Sequence, residues 1–412
     1  MNKKNLVNNI SFFAFSLSQG GAAIAASRIK DALIKFGIEI DCYVVDDVTG
    51  LKKLSHLSLR VISHALGRIF NYSYKNKVSL NIFSSTAAVS LINSKSSLLH
   101  VHWVNNDSIS IKKMKELTIT HTCLVTLHDE WLYCGNEHYA EERFKHYTNI
   151  IDKKFSVPFS SDHTFKRKMK YLSDASFEIT VPSTWMKYRV EHSALLSNKK
   201  VHVVGNAVPV DIFSPNLPNS LTREELGISD SDIVVLFGAV GGGSNPLKGA
   251  DLLIRALKLL DETLPQSKKN KVRLVSFGGE FDGSDIPNFD VIKVGHVKSQ
   301  ESMANLYRLA DLTIVPSRAE AFGQVAAESC ACGTPVVAFN YSGLKDIIIN
   351  NYNGYLAEPF CPRNLAECIV KFISLEKPQL DLMSKNSVKY INEKFNPAKI
   401  ASDFNGIYQK LI

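Results

Sequence analysis

The feature that most restricts this chain is a rhythm. Short β-branched or aromatic runs alternate with amphipathic helical stretches, stop at a proline-bearing segment, and begin again. Candidate strands fall at 10–15, 40–45, 98–103, 122–127 and 178–182, then at 233–238, 272–278, 290–294, 311–316 and 335–339. Such alternation builds parallel βαβ units covered by helices on both faces. Between the halves, Asn206, Pro209, Pro215 and Pro218 break any continuous element across 199–218. The expectation is an α/β protein of two Rossmann-like domains facing each other across a cleft. Residues 1–199 form the first domain, 200–395 the second, and 396–412 a last helical pattern carried by Ile400, Phe404, Ile407, Tyr408 and Leu411.

Composition agrees. With 412 residues, 45% hydrophobic and 21% charged, the chain is neither disordered, collagen-like nor a disulfide-stapled miniprotein. At roughly 150–200 residues per domain, two domains are expected. The net charge of +8 favours phosphates or an anionic membrane face, and no nucleic-acid partner is expected. The seven cysteines form no C-x-x-C pair and no histidine cluster has zinc-like spacing, so neither a metal centre nor a disulfide framework is expected. Free thiols fit a reducing cytoplasm. No apolar run reaches the roughly 20 residues of a membrane-spanning helix. The N-terminus imitates a signal peptide, with Lys3-Lys4, an apolar run at 10–17 and Ala23-Ile24-Ala25. Helical periodicity continues past that apparent cleavage site, so a buried strand, a Gly20-Gly21 turn and a helix are expected instead.

In open parallel sheets, ligands bind at the loops outside the carboxyl ends of strands. The loop 316–323 carries Glu320, and Glu328 follows eight residues later in a small-residue helix ended by Gly333. Were both helical, they would stand roughly 12 Å apart along the axis. That exceeds the roughly 5–9.5 Å of two carboxylates working at one bond, but suits two acids gripping opposite ends of an elongated, hydroxyl-rich ligand. Ala321, Phe322 and Gly323 open the helix and can turn N–H groups towards an anion. A second loop follows Gly238, with Gly241–243 and then Lys248-Gly249 at a helix mouth. It has neither Walker nor dinucleotide spacing, yet it brings backbone and one cation to a phosphate. In the first half, Gly20-Gly21 is another anion candidate. His100, His102, His128 and Asp129 lie at strand ends, where a histidine contacts a sugar hydroxyl or steers a proton.

Taken together, these loops resemble the retaining family-4 glycosyltransferases, which share the GT-B fold. The resemblance is carried by Asn206 to Pro215, Lys248-Gly249, Pro316 through Glu328, Ala331 through Val337, Gly343, Asp346-Ile347-Ile348 and Asn353 through Leu356. The first half matches only at Gly20-Gly21 and His128-Asp129. The downstream segment is similar to enzymes of bacterial capsule, O-antigen and colanic-acid assembly. The resemblance implies a nucleotide-sugar donor as substrate, no cofactor, no metal, and retention at the anomeric carbon. Glu328 would bind the ribose. Glu320, with Phe322 and Gly323, would orient the sugar and its phosphates, and Lys248 would neutralise the departing diphosphate. His128 would touch the sugar, with His102 and Asp129 near the acceptor, and the last helix would cross back to the first domain. The family places an arginine where Ala239 stands, which leaves Arg318 or the loop 241–243 to compensate.

The expected function is therefore sugar transfer from a UDP- or GDP-sugar to a lipid-linked oligosaccharide. It would take place at the cytoplasmic membrane face, in surface polysaccharide or lipopolysaccharide synthesis. A basic amphipathic stretch at 51–77 and the charge cluster Phe165 to Lys170 support membrane contact. The alternatives are a GT-B epimerase and an inactive nucleotide- or glycan-binding scaffold.

Overall fold

The computed structural model describes residues 9–69, 77–149, 157–238, 245–279, 286 and 288–412. They divide into two compact units, one of residues 1–207 with 397–412 and one of residues 208–396. The strands of the first are β1 (Ile10–Ala14), β2 (Ile40–Val44), β3 (Leu98–His102), β4 (Thr122–Thr126), β5 (Glu178–Val181) and β6 (Val201–Val203). Those of the second are β7 (Ile233–Gly238), β8 (Val272–Phe277), β9 (Asp290–Gly295), β10 (Leu312–Val315), β11 (Val336–Phe339) and β12 (Gly354–Ala357). Around the first sheet lie helices α1 (Gly21–Phe36), α2 (Gly50–Ile69), α3 (Thr86–Leu91), α4 (Ile111–Thr120), α5 (Phe159–Leu172) and α6 (Thr184–Glu191). The second has α7 (Ala250–Thr263), α8 (Gln266–Lys269), α9 (Gln300–Leu309), α10 (Gln324–Ala331), α11 (Pro362–Ile373) and α12 (Lys377–Lys394), and the chain ends in α13 (Pro397–Leu411).

Both sheets are wholly parallel. The first is ordered β2-β1-β3-β4-β5-β6 and the second β12-β11-β10-β7-β8-β9. The strand-and-turn reading of the N-terminus holds. Ile10 is paired with Ile40 on one side and Leu98 on the other, and α1 begins at Gly21. Two strands escape the sequence reading. β6 lies inside the stretch read as linker, and at three partly exposed residues it is too short to show alternation. β12 is four residues long and opens on Gly354.

Strand order reverses between β1 and β3 in the first sheet and between β7 and β10 in the second. At such a switch point the neighbouring loops leave in opposite directions and open a crevice at the carboxyl ends of the strands. Gly20 and His102 stand at the first. Gly238 and the loop after Val315 stand at the second.

Packing fixes these positions. α7 buries Leu252, Leu253, Ala256, Leu257 and Leu260 against β7, β8 and β10, each leucine contributing on the order of 1.5–3 kcal/mol. α13 belongs to the first unit. It packs on α1 and buries Ile400, Ala401, Phe404, Ile407 and Tyr408, and its Tyr408 hydroxyl is hydrogen-bonded to Nδ1 of His100 at 2.7 Å.

α2 does not pack its apolar stripe on the core. Its sequence allows a membrane-facing helix or one packed on the core with its basic face solvated. The residues it buries are His56, Ser63 and Gly67, while Leu51, Leu54, Leu57, Val61 and Ile62 are exposed, Leu51 at 85%. His56 is held by the carbonyl of Asp107 at 2.8 Å. The polar, small stripe faces the protein and the apolar stripe faces out. Lys75, counted in the same basic stretch, lies outside the described residues. The cluster 165–170 divides, with Lys166 and Lys170 exposed and the other two cations turned inward. Lys168 is fully buried and donates to the carbonyls of Trp131, Cys134 and Gly135, while Arg167 reaches the carbonyls of Leu80 and Asn81.

Candidate active site

In the second unit the loops leaving β7 and β10 meet. Pro246 to Lys248 form one 3-10 turn, capped by the Asn245 side chain, which accepts from Leu247 N at 3.1 Å. Gly249 closes the turn with φ +67°, and a Cβ there would lie 2.0 Å from the Pro316 carbonyl oxygen. Only glycine brings the lysine turn this close to the end of β10. Lys248 Nζ is 2.6 Å from Oε1 of Glu320, and Ser317 donates to the same oxygen at 2.8 Å. The Glu320 N–H donates to Ser342 Oγ at 3.0 Å, and its carbonyl accepts from Gly343 at 2.9 Å. One carboxylate oxygen is thus held twice and the backbone of Glu320 is tied down, while the side chain stays 16% exposed.

Two readings of these residues change. Glu320 and the residues Ala321 to Gly323 precede α10 rather than forming its first turn, with Gly323 as N-cap at φ +109°. The 12 Å helical spacing therefore does not apply. Among the described residues the N–H groups of Ala321, Phe322 and Gly323 make no hydrogen bond with the chain backbone, as an anion-binding loop requires. Arg318, considered as a replacement for the missing diphosphate arginine, is engaged elsewhere. It forms a bidentate pair with Asp251 at 2.7 and 2.6 Å and donates to the Pro246 carbonyl at 2.9 Å. Its guanidinium holds the Asp251 carboxyl below the ordinary range and braces the lysine turn. Gly238 ends β7 beside Phe277 of β8. Ala239 and Gly241–243 lie outside the described residues.

Glu328 lies in α10, buried at 8% exposure, and its Oε2 accepts from the Tyr307 hydroxyl of α9 at 3.2 Å. A carboxylate kept among Ala326, Ala327 and Ala331 rather than at the surface is costly without a polar partner. Tyr307, Ser317, Ser342 and Asp251 do not stand out in the sequence. Ser317 lies within the motif, three residues before Glu320. Tyr307, 21 residues before Glu328, is joined to the site by its hydroxyl hydrogen bond, which only the fold brings about.

In the first unit Gly20, at φ +93°, caps α1 and stands exposed with Gly21. His102 and His128 meet across β3 and β4, with His102 Nδ1 3.1 Å from His128 Nε2 and the rings stacked at 5.4 Å. Burial pushes His128 down to about 4 and His100 to about 3, and lowers His102, so all three are neutral. Asp129 is a brace. It accepts from Trp103 Nε1 at 2.8 Å, Asn105 Nδ2 at 2.7 Å and Trp131 N at 3.0 Å, and His138 Nδ1 lies 3.3 Å away. Burial nonetheless pushes its carboxyl up to about 7. Among the described residues, no group of three His, Cys, Asp or Glu is placed to hold a metal ion.

Comparison with known proteins agrees with this layout. Residues 220–389 match the model of Glycosyl transferases group 1. A D-inositol 3-phosphate glycosyltransferase of Thermobispora bispora is 30% identical over 203 residues, covering 47% of this chain and 46% of its own. This chain therefore spans about half the length of the curated relatives it matches. Among solved structures, the sucrose-phosphate synthase of Thermosynechococcus elongatus superposes with a TM-score of 0.68 at 17% identity, covering 98% of this chain and 99% of its own. Anabaena HepE, solved in complex with UDP-glucose, gives 0.64 at 16% identity over 98% and 99%. The chain has the GT-B fold of two Rossmann-like units, and over residues 220–389 it matches the glycosyl transferases of group 1.

Proposed function

We propose that this chain is a retaining glycosyltransferase that moves a sugar from a UDP- or GDP-sugar to a hydroxyl of a lipid-carried glycan, in the making of a bacterial surface polysaccharide. The observation that carries the reading is the Lys248–Glu320 pair, 2.6 Å apart at the switch point of the second sheet. Beside it stand N–H groups that no backbone carbonyl takes, and buried Glu328 follows. An ammonium and backbone N–H groups stabilise the charge that develops on a departing nucleoside diphosphate. Glu320 orients the sugar, Glu328 takes the ribose hydroxyls, and His128 donates to the sugar. Solution of the Anabaena neighbour with UDP-glucose supports a nucleotide-sugar donor.

The lipid-borne acceptor rests on α2. Its outward apolar stripe, flanked by Lys52, Lys53 and His64, has the composition of an interfacial helix on an anionic leaflet. No described helix is long and apolar enough to cross a membrane, so contact would be peripheral, at the cytoplasmic face.

The test is calorimetry with a panel of UDP- and GDP-sugars, followed by release of nucleoside diphosphate with and without lipid-linked acceptors. Acceptor-dependent release with the donor's anomeric configuration retained in the product supports the proposal. Donor turnover with no acceptor favours an epimerase, and binding without turnover on any acceptor favours a scaffold.

A further inference from the structure

The contact between His102 and His128 carries a proton whose place the surroundings decide. Two neutral imidazole nitrogens 3.1 Å apart share one hydrogen. If His128 Nε2 carries it, His102 must be protonated on Nε2. That atom is buried and has no hydrogen-bond partner among the described residues, while the ring lies flat against Phe12 at 4.2 Å and beside His100 at 4.0 Å. An N–H there would be an orphan donor, the rarest kind of buried polar group, with a cost of roughly 1–3 kcal/mol. If His102 Nδ1 carries the hydrogen instead, only a lone pair is left among the rings. His128 Nε2 then accepts, and the neutral His128 ring must hold its own hydrogen on Nδ1.

We infer that His102 is a positioning residue that locks His128 in its Nδ1–H tautomer. His128 therefore presents a hydrogen-bond donor, and no base, to whatever its Nδ1 meets. Among the described residues that Nδ1 has no partner within the protein. The sheet sets this up. His102 ends β3 opposite Thr126, and His128 follows Thr126 by two residues, so both rings fall on one face. His100, two residues before His102, is occupied by the Tyr408 hydroxyl at 2.7 Å and Thr126 Oγ1 at 2.6 Å, which leaves His102 free to serve His128 alone. The functional meaning rests on the proposed reading of His128 as a contact to the donor sugar. An Nδ1–H donates to a sugar oxygen and cannot remove a proton from an acceptor hydroxyl, so His128 orients the donor and is not the base.

Long-range nitrogen–proton correlation spectra of the full chain labelled with nitrogen-15 histidine test the assignment, with His128→Gln and His102→Asn identifying the signals. The expected pattern is a protonated Nδ1 and a bare Nε2 on His128, and a protonated Nδ1 on His102. The reverse pattern overturns the inference. His102→Leu should abolish the single tautomer of His128, while His102→Asn, whose amide can donate near the same place, should preserve it. Equal spectra for His128 in both variants would also refute the role of His102. If the tautomer is as assigned but no UDP- or GDP-sugar binds, the proposed function falls and this assignment stands. If donors turn over with the tautomer reversed, only this assignment falls.

Discussion

The ammonium of Lys248 and the carboxylate of Glu320 lie 2.6 Å apart, joined across the loops that leave β7 and β10. If the site takes a diphosphate as proposed, its cation is already neutralised by the acid next to it. A ligand phosphate must draw the lysine from that partner.

Lys248→Ala should weaken UDP binding by roughly 10- to 100-fold, the scale of a charge-assisted hydrogen bond. Glu320→Gln should leave UDP affinity equal or higher, because the competing carboxylate is gone. Transfer should nevertheless fall by about 10²–10³-fold, as when one preorganised electrostatic group is lost. Calorimetry and turnover, measured on the same samples, separate the two outcomes. Weaker UDP binding by Glu320→Gln would mean that the acid orders the lysine instead of competing for it.

Gly249→Ala should be among the worst small substitutions in the second unit. The added methyl meets the Pro316 carbonyl at 2.0 Å, at φ +67°. A cost of at least about 1–3 kcal/mol is expected for strain of this type, read as a melting-point loss of several degrees and a loss of UDP binding. Gly227→Ala has a comparable φ of +68° but open space around it, and should cost less.

Acid should destabilise the first unit steeply. His100, His102, His128 and His138 are all lowered by burial from an ordinary 6.5, to about 3, well below, about 4 and about 3. The unfolded chain takes up their protons below pH 6.5 and the folded unit does not, so stability is complete above 6.5 and lost as pH falls. Asp129 works in the opposite sense, because its carboxyl, raised to about 7, protonates in the folded state first. Four imidazoles against one carboxyl leave about three protons, or roughly 4 kcal/mol per pH unit between pH 6 and 4.5. Urea midpoints at those two values should show it, and His100→Gln should flatten the slope by about one proton. A flat profile would show that these rings titrate normally in the fold.

Vesicles of anionic lipid should bind the protein through α2, with affinity falling as salt rises. Leu54→Glu with Val61→Glu should abolish binding without unfolding, because both side chains are about 60% exposed. Binding that survives the pair would exclude this helix as the contact.

Much of this architecture was legible because periodicity reports secondary structure directly. The candidate strands, including the one that imitates a leader, sit where alternation put them, and strand order then marks the loops worth reading. Orientation was less legible. Along α2 the sequence displays an apolar and a polar stripe, but which one turns inward depends on the His56 contact to Asp107 and the close approach of Gly67 to Val78 and Leu80. Lys168 reads as one more surface charge until three carbonyls are seen around it. Arg318 and Asp251, 67 residues apart, declare their pairing only once the chain is folded. Spacing located the acids. Their partners came from packing.

The interrupted course of the first unit bears on how the protein is made. Its sheet strands all precede residue 208, yet the helix bearing Tyr408 follows residue 396. On the ribosome the whole second unit must be synthesised before that helix exists. Until then His100 has only its Thr126 partner and lacks the Tyr408 hydroxyl, and the place of Phe404 stays open, so the part translated first is the part completed last.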